Sequence, residues 1–304
     1  MRRTRPRHHR DLAAGNRRVG SDERRRVRRG VSERFITWRA ILCRAIHTGL
    51  STAHDLVCTL SWLPEGEAYS IWFNRDERIT RKPATSPFRH ERAGISYLAP
   101  TDGEAGGTWI GVNAFGVTVC LANRYRVPRP PPPRHRVSRG LLVESVLGLP
   151  AQSAVAAAVE QAALEQYEPF TLGVFEPYAL PLLLAWDGER LTPDRPVDPG
   201  GGLLLTSSAV DQAHVVESRR GVQAQLLAEE PLSATLLERL HASHEPERSG
   251  VSICMHRHDA QTQSLSRIDV GNDIIRFRYT PGSPCTVRAE PSLTLARVAS
   301  SPTS

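Results

Sequence analysis

The apolar residues of the chain occur in short runs, and two of these runs lie on either side of a polar turn. The first run begins at Cys58, and the second ends in the tetrad Asn-Arg-Asp-Glu at 74–77. Between them, Pro-Glu-Gly-Glu at 64–67 supplies turn formers, which predicts a β-hairpin over residues 58–74. Because the start of one hairpin strand lies beside the end of the other, we expect Cys58 next to the tetrad.

The same pattern predicts the remaining elements. Short apolar runs predict strands over residues 94–99, 109–113, 117–123, 171–175, 181–186, 190–191, 202–206, 251–256, 264–270 and 273–279. Longer periodic segments predict helices over residues 138–147, 152–166, 211–229 and 233–243. Residues 78–90 are polar and carry Pro83 and Pro87, so a loop is predicted there. The proline tract over 127–136 is interpreted as a polyproline connector.

The order of these elements indicates the fold class. Strands, a pair of helices, strands, a second pair of helices and closing strands follow one another, without a regular βαβ alternation. A parallel doubly wound sheet is therefore not expected. Two antiparallel sheets stacked face to face, with the helix pairs outside, bury every apolar face. The sequence thus predicts an α+β protein, a four-layer αββα sandwich.

Charge divides the chain into unequal parts. Residues 1–56 hold fifteen Arg and five acidic residues, a net charge of +10, which leaves −3 of the overall +7 for the remaining residues. The folded part therefore gives no general indication of nucleic-acid binding. We expect a disordered Arg-rich extension over 1–56, a domain over 57–288, and a disordered tail over 289–304. A mis-assigned start is the favoured interpretation of the extension, and a nucleic-acid or membrane-surface arm is the alternative.

Cysteine usage and hydropathy restrict the protein class further. Five cysteines lie far apart, without a CxxC pair, which favours a reduced, cytoplasmic compartment. No run of eighteen apolar residues occurs, so no membrane span is expected. His256 and His258 share a strand face beside Asp259, but they lack a clear third ligand, and no metal site is predicted.

The hairpin would place a thiol beside a guanidinium and two carboxylates. One interpretation is a catalytic cysteine whose thiolate is favoured by the adjacent Arg75. The alternative is a buried core thiol beside a surface salt-bridge cluster of little energetic value. Trp109 and Trp72 are more typical of a core than of ligand stacking. The neighbouring Arg and Asp favour a functional Cys58.

Several motifs carry a resemblance to a known family. They are Val-Cys-Thr-Leu-Ser-Trp at 57–62, the tetrad at 74–77, Gly-Gly-Thr-Trp-Ile-Gly-Val-Asn at 106–113, Leu-Thr-Ser-Ser at 205–208 and Val-Glu-Ser-Arg-Arg-Gly at 216–221. Together, over residues 57–285, they resemble the NRDE family, also called the transport and Golgi organisation family. That family is similar in turn to N-terminal-nucleophile (Ntn) hydrolases of the choloylglycine hydrolase and penicillin V acylase type. The resemblance implies an αββα fold, in agreement with the order of elements.

The resemblance also implies a mechanism in which Cys58 is the first residue of the mature chain. A bacterial valine codon can start translation, and Val57 directly precedes Cys58. A free α-amino group titrates at about 7.7–8.0 and can serve as the base for the thiol. Arg75 would favour the thiolate, and Asp76 or Glu77 would hold the α-ammonium group.

Further roles follow from the same resemblance. Asn123 occupies the place of an asparagine that donates to the oxyanion. Ser207 stands where the hydrolases carry a second asparagine, and a hydroxyl reaches less far than an amide. The resemblance thus implies a catalytic set of Cys58, Arg75, Asp76 and Asn123. The other motif residues are expected to bind ligand or to support this set, and they are Asn74, Glu77, Trp109, Asn113 and Ser207.

Two function classes remain open from the sequence. One is a hydrolase of a non-peptide amide with Cys58 as nucleophile and no cofactor. The other is a non-catalytic carrier or chaperone of a hydrophobic ligand, haem or an acyl-lipid, in which the replacement at Ser207 has no consequence. Either class predicts a small-molecule partner, and neither requires nucleic acid or a membrane span.

Overall fold

The structure is a computed structural model that describes residues 58–125, 136–198, 202–208 and 211–298. The Arg-rich extension predicted over 1–56 lies outside the described residues, as does the proline tract up to residue 135. The described residues contain thirteen strands and four α-helices. The groups of strands and the pairs of helices follow one another along the chain in the predicted order.

The strands form two antiparallel sheets. The first sheet, in the order β10-β1-β2-β11-β12-β13, contains β1 (Cys58–Glu65), β2 (Ala68–Arg78), β10 (Leu203–Ser207), β11 (Ala260–Val270), β12 (Ile274–Thr280) and β13 (Leu293–Ala296). The second sheet runs in sequence order through β3 (Thr85–Arg92), β4 (Ile95–Thr101), β5 (Ile110–Asn113), β6 (Thr118–Asn123), β7 (Phe170–Phe175), β8 (Leu182–Trp186) and β9 (Leu191–Asp194).

The helices come in two pairs. The first pair is α1 (Arg139–Val146) and α2 (Gln152–Glu160), and the second is α3 (Gln212–Glu229) and α4 (Ala234–Ala242). Ser138 is the N-cap residue of α1, as expected, but its side chain makes no capping hydrogen bond. The predicted helix over 152–166 ends early, at Glu160, and a short 3₁₀ turn follows at Leu164–Gln166. None of the helices described is long and apolar enough to cross a bilayer.

Three apolar clusters define the order of the layers. The largest lies between the sheets and joins residues of both, among them Leu60, Ile71, Phe73, Leu98, Ile110 and Val112. A second cluster joins α1 and α2 to the other face of the second sheet. A third joins α3 and α4 to the other face of the first sheet through Trp72, Leu204, Val222 and Leu236. The layers are therefore helix, sheet, sheet, helix, which confirms the predicted αββα sandwich.

The first hairpin forms as predicted. Thr59 pairs with Asn74 and Glu65 with Ala68, and Gly66 takes a φ of +67° in the tight turn between β1 and β2. Glycine adopts this left-handed conformation without the steric cost of a Cβ. The same register puts Arg75 opposite Cys58, and the last three residues of β2 extend beyond the start of β1. The second hairpin, β5 with β6, faces the same inter-sheet core.

Three sequence predictions are wrong. The loop predicted over 78–90 contains most of β3, which is an edge strand, where Pro87 removes no hydrogen bond from a sheet interior. The strand predicted over 251–256 does not form, and only His256 makes an isolated bridge, to Gln261. The tail predicted as disordered over 289–304 includes β13, which pairs with β12 and buries Leu295.

Candidate active site

Cys58 lies at the rim of the two sheets, between β10 and β2, and its side chain faces a cavity of about 140 Å³. The cavity brings together most of the residues that the sequence assigned to catalysis. It is lined by Cys58, Arg75, Asp76, Glu77, Arg81, Asp102, Thr108, Trp109, Leu121, Asn123, Ser138, Arg139 and Gly140. All four predicted catalytic residues, together with Glu77 and Trp109, therefore share one cavity.

The Cys58 thiol is protonated at neutral pH when the residue is internal. Burial, and then the negative charge of Asp76, raise the pKa of the Cys58 thiol to about 12. A hydrogen bond from the Asp76 backbone and the charge of Arg75 lower the pKa, but not enough to offset burial. The backbone N–H of Cys58 donates to Ser207 Oγ at 3.4 Å. The thiol therefore needs a base before it can act as a nucleophile.

Arg75 belongs to a network of charges at the cavity. Its Nη2 donates to Asp102 Oδ2 at 2.7 Å and lies 3.5 Å from Glu77 Oε2. Arg81 contacts the same two carboxylates, at 2.9 Å from Asp102 Oδ1 and 3.4 Å from Glu77 Oε2. The Arg75 guanidinium also lies over the Trp109 ring, 4.4 Å from its centroid. These contacts fix the guanidinium in place and moderate its field at the thiol.

Asp102 connects this network to the glycine-rich loop that it begins, Asp-Gly-Glu-Ala-Gly-Gly at 102–107. Its Oδ1 accepts hydrogen bonds from the backbone N–H groups of Glu104 and Ala105. Burial raises the pKa of Asp102, but the hydrogen bonds from Arg81 and Ala105 and the nearby guanidinium charges hold it below its usual value. The carboxylate is therefore charged at neutral pH and anchors Arg75.

Asp76 faces the layer of α3 rather than the network of Arg75. Its Oδ1 accepts a hydrogen bond from Thr262 Oγ1 at 2.6 Å. Its Oδ2 lies 3.7 Å from Arg219 Nη2 and has no hydrogen-bond partner among the described residues. Burial raises the pKa of Asp76 to about 7, although Arg219 and Thr262 act in the opposite direction. The second carboxylate oxygen is thus a buried acceptor that another donor could satisfy.

Arg219 is almost completely buried and holds several segments together. It donates to the backbone oxygens of Val251, at 2.9 Å, and Ser252, at 2.6 Å, and to the hydroxyls of Thr59 and Thr206. These bonds to the carbonyls of residues 251 and 252 take the place of a strand ladder there. Arg219 therefore joins α3, β1, β10 and the segment before β11.

Asn123 ends β6 on the opposite side of the cavity. Its Nδ2 donates to the Tyr125 hydroxyl at 3.0 Å. An amide nitrogen carries two N–H groups, so this bond uses one of them. Arg139, at the start of α1, lines the same side and donates to Pro169 O at 2.9 Å. A polar donor is thus available across the cavity from Cys58.

Three motif residues do not line the cavity. Asn74 is buried on the α4 side, where its Nδ2 donates to the backbone oxygens of His241 and Ile253. Asn113 is also buried, and its side chain bonds the β5–β6 turn to the end of α1. Ser207 instead contacts the Cys58 backbone. These three side chains support the structure around the site rather than its surface.

Sequence reasoning missed five residues that surround the site: Arg81, Asp102, Arg139, Arg219 and Thr262. Asp102 and Arg219 lie within recognised stretches, the glycine-rich loop and the segment at 216–221, which offered a signal. The remaining three stand in no motif of the sequence. Their position depends on pairing between distant strands, such as that of Thr262 with Asp76 in β11 and β2.

Comparison with known families identifies the chain. The family profile described as Transport and Golgi organisation 2 matches residues 65–267. This chain belongs to that family. The match includes the tetrad at 74–77 and the glycine-rich loop, and the predicted resemblance is thereby confirmed. No curated protein matches the chain.

Solved structures that align with the chain include two hydrolytic enzymes. A mutant of the conjugated bile acid hydrolase from Clostridium perfringens aligns with a TM-score of 0.49 at 10% identity, over 77% of this chain and 92% of the other. The N-acylethanolamine-hydrolyzing acid amidase ortholog from Caenorhabditis elegans aligns with a TM-score of 0.46 at 14% identity, over 69% and 92% of the two chains.

Proposed function

We propose that the protein is an Ntn-type hydrolase of a non-peptide amide, with Cys58 as its N-terminal nucleophile. The observation that carries the proposal is the shared cavity of a thiol, a guanidinium, a carboxylate and an amide, from Cys58, Arg75, Asp76 and Asn123. These are the groups that an acyl transfer to sulfur needs: a nucleophile, charge stabilisation and a donor for the oxyanion.

The base in this mechanism is the α-amino group of Cys58. A free α-amino group has a pKa of about 8, so a fraction of it is unprotonated near neutral pH and can accept the thiol proton. Sulfur attacks the amide carbon, the bond to nitrogen breaks, and the amine leaves with the proton from the α-ammonium. Water, deprotonated by the same α-amine, then hydrolyses the thioester, which releases the acid and restores the thiol.

Two residues would position the α-amine. Ser207 Oγ already accepts a hydrogen bond from the Cys58 nitrogen, and Asp76, which is among the residues that line the cavity, has a buried acceptor in its Oδ2. An α-ammonium beside Asp76 would lower the raised pKa of that carboxyl and keep it ionised. In this arrangement Ser207 holds the amine, and the oxyanion is left to the Asn123 amide.

The cavity favours a polar, compact reacting group. Drug-sized ligands occupy pockets of about 300–1,000 Å³, so a cavity of about 140 Å³ accommodates only part of such a molecule. Three arginines and three carboxylates contribute to the lining: Arg75, Arg81, Arg139, Asp76, Glu77 and Asp102. The amide end of a substrate fits this description. Neither the size nor the lining favours a carrier for haem or an acyl-lipid.

The mechanism requires that the mature chain begin at Cys58. An amide nitrogen at an internal Cys58 is not basic and cannot take the thiol proton. Translation from Val57 with removal of the initiator, or cleavage after Val57, would each expose the sequence Cys-Thr-Leu-Ser. N-terminal sequencing of the protein from its own cells tests this requirement. A chain that retains Met1 and is still catalytic would contradict it.

The activity is tested with a chain that begins at Cys58 and a panel of acyl amides of differing acyl length and amine. We expect amine release and an acyl adduct on Cys58, seen by intact mass and located by peptide mapping. Cys58→Ser should abolish both, while Cys120→Ala, a buried thiol outside the cavity, should retain them. Saturable binding of haem or acyl-lipid without any adduct or amine release would favour the carrier instead.

A further inference from the structure

Four side chains with metal-ligand chemistry cluster outside the active-site cavity. They are His244, Cys254, His256 and Cys285, and their nearest ligand atoms all lie within 4.8 Å of one another. The sequence directed attention to His256 with His258, but the His258 side chain is 93% exposed and takes no part. The fold instead brings two thiols and a second imidazole to His256.

The distances within the cluster resemble those of a tetrahedral metal site. His256 Nε2 lies 3.5 Å from Cys254 Sγ and 3.4 Å from Cys285 Sγ. Tetrahedral Zn²⁺ with bonds of about 2.0–2.3 Å to nitrogen and sulfur holds its ligand atoms about 3.3–3.8 Å apart. Both sulfur–nitrogen distances fall in this range. Small side-chain rotations would bring the widest pairs of the cluster into it.

The second histidine adds an independent observation. His244 Nε2 is buried and has no hydrogen-bond partner among the described residues. The ring of His244 lies 5.0 Å from that of His256, at 64° to it. A buried ring nitrogen without a partner costs free energy, and a bond to a metal would remove this cost.

The ligands come from three separate segments that the fold holds in register. His244 follows α4, Cys254 and His256 lie in the segment before β11, and Cys285 follows β12. The Cys254 N–H donates to Ser243 O at 3.0 Å, which ties the first two segments together. Ser283 Oγ donates to Thr262 O at 2.9 Å and ties the third. These two hydrogen bonds, which use none of the ligand atoms, thus preorganise the cluster.

We propose that His244, Cys254, His256 and Cys285 form a structural Zn²⁺ site. Two thiolates and two neutral imidazoles are a common tetrahedral ligand set for zinc. Binding releases the two thiol protons to solvent and leaves the site neutral. Coordination through His256 Nε2 places the ring proton on Nδ1, so the exposed Arg248, whose Nη2 lies 3.2 Å from Nδ1, turns away into solvent.

A metal here would brace the layer behind Asp76. Met255 lies between two of the ligands, and its N–H donates to Thr262 Oγ1 at 2.8 Å. The same hydroxyl donates to Asp76. The segment would otherwise depend on Arg219 and a few backbone bonds, since it forms no strand. The site is structural and holds whether or not Cys58 is a nucleophile.

The first experiment measures zinc in the full-length protein, purified without chelator, by mass spectrometry of the metal. We expect about one zinc per chain. Cys254→Ser and His256→Asn should each leave the content far below one zinc per chain, since loss of a mere hydrogen-bond partner of a ligand already costs about 10–100-fold in metal affinity. The matched controls His258→Asn and Cys120→Ala should retain it. Equal zinc content in all four variants, or none in the wild type, would overturn the proposal.

A second measurement does not depend on how the variants fold. The wild-type protein, freed of metal under reducing conditions, is titrated with Co²⁺. We expect thiolate-to-cobalt charge-transfer absorption and the visible bands of tetrahedral Co²⁺, saturating at about one equivalent and lost on addition of Zn²⁺. Absence of these bands would overturn the proposal. A Cys254–Cys285 disulfide in the native protein, or an iron–sulfur cluster, would do the same.

Discussion

Thr262 Oγ1 donates a hydrogen bond to Asp76 Oδ1 across two neighbouring strands, with an oxygen–oxygen distance of 2.6 Å. The register between β2 and β11 shifts between Thr262 and Ser264, directly beside this bond. Such β-bulges re-aim side chains and are common next to active sites. Pairing continues past the shift as far as Ala260 and Arg78, and the β2 residues on either side of it, from Arg75 to Glu77, line the charged cavity.

The raised pKa of Asp76 predicts a pH-dependent stability in a chain where Cys58 is internal. With a folded-state pKa of about 7 against an ordinary 3.8, the folded state favours the protonated carboxyl. Its contribution to the free energy of unfolding is full below pH 3.8 and is lost as the pH rises through 7. Urea unfolding from pH 4.5 to 7.5 should show wild type losing a few kcal/mol relative to Asp76→Asn. A constant difference would contradict the assignment.

Replacement of Arg75 should slow the reaction of Cys58 with alkylating reagents. Arg75→Ala removes a charge that lowers the thiol pKa, so we expect the alkylation rate at neutral pH to fall roughly threefold to tenfold. Iodoacetamide labelling, quantified on the Cys58 peptide, measures it. The exposed Arg276→Ala serves as control and should react like wild type. An unchanged rate in Arg75→Ala would remove this residue from the mechanism.

The two asparagines of the second hairpin should separate activity from stability. Asn123→Ala removes the proposed oxyanion donor, and we expect kcat to fall about 10²–10³-fold with little change in urea midpoint. Asn113→Ala instead takes this partner from four backbone groups, two in buried and two in partly buried hydrogen bonds, and should cost at least about 2 kcal/mol of unfolding free energy. Equal turnover in Asn123→Ala and wild type would exclude Asn123 as the donor.

Arg219 and its neighbour Arg220 should differ sharply in their effect on stability. Arg219→Met leaves Asp76 without its nearby guanidinium and removes the donors to residues 251 and 252, which we expect to cost about 3–5 kcal/mol. Arg220 is largely exposed, so Arg220→Met should change stability by less than about 0.5 kcal/mol. Chemical denaturation compares them, and similar midpoints would refute the bracing role of Arg219.

The first hairpin shows what could be predicted from the sequence. The alternation of apolar and polar residues in β1 and the glycine turn after it set the register of the hairpin locally. This local pattern alone is enough to bring Cys58 and the tetrad together. The outer layers could be predicted because the helical segments are periodic. Asn74 and Asn113 stand in recognisable motifs, but only the packing shows that their amides face the interior.

The remaining features depend on contacts between distant segments. The segment over 251–256 looks like a strand, yet Arg219, over thirty positions away, takes its carbonyls. Cys285 and His244 carry no common motif, and their proximity to Cys254 depends on the ends of α4 and β12 meeting. The roles of residues such as Arg81 and Asp102 are defined only by the charged side chains that surround them in the folded protein.

The central claim, that a free α-amine at Cys58 is the catalytic base, is tested most directly by adding one residue. A chain that begins at Cys58 is compared with the same chain carrying a single Ala before it, on a chromogenic acyl anilide. Both keep the thiol, Arg75, Asp76 and Asn123, but only in the first is the nitrogen of Cys58 itself a basic amine. We predict that the added Ala lowers turnover by about 10²–10⁴-fold. Equal turnover by the two chains would contradict the N-terminal-nucleophile mechanism.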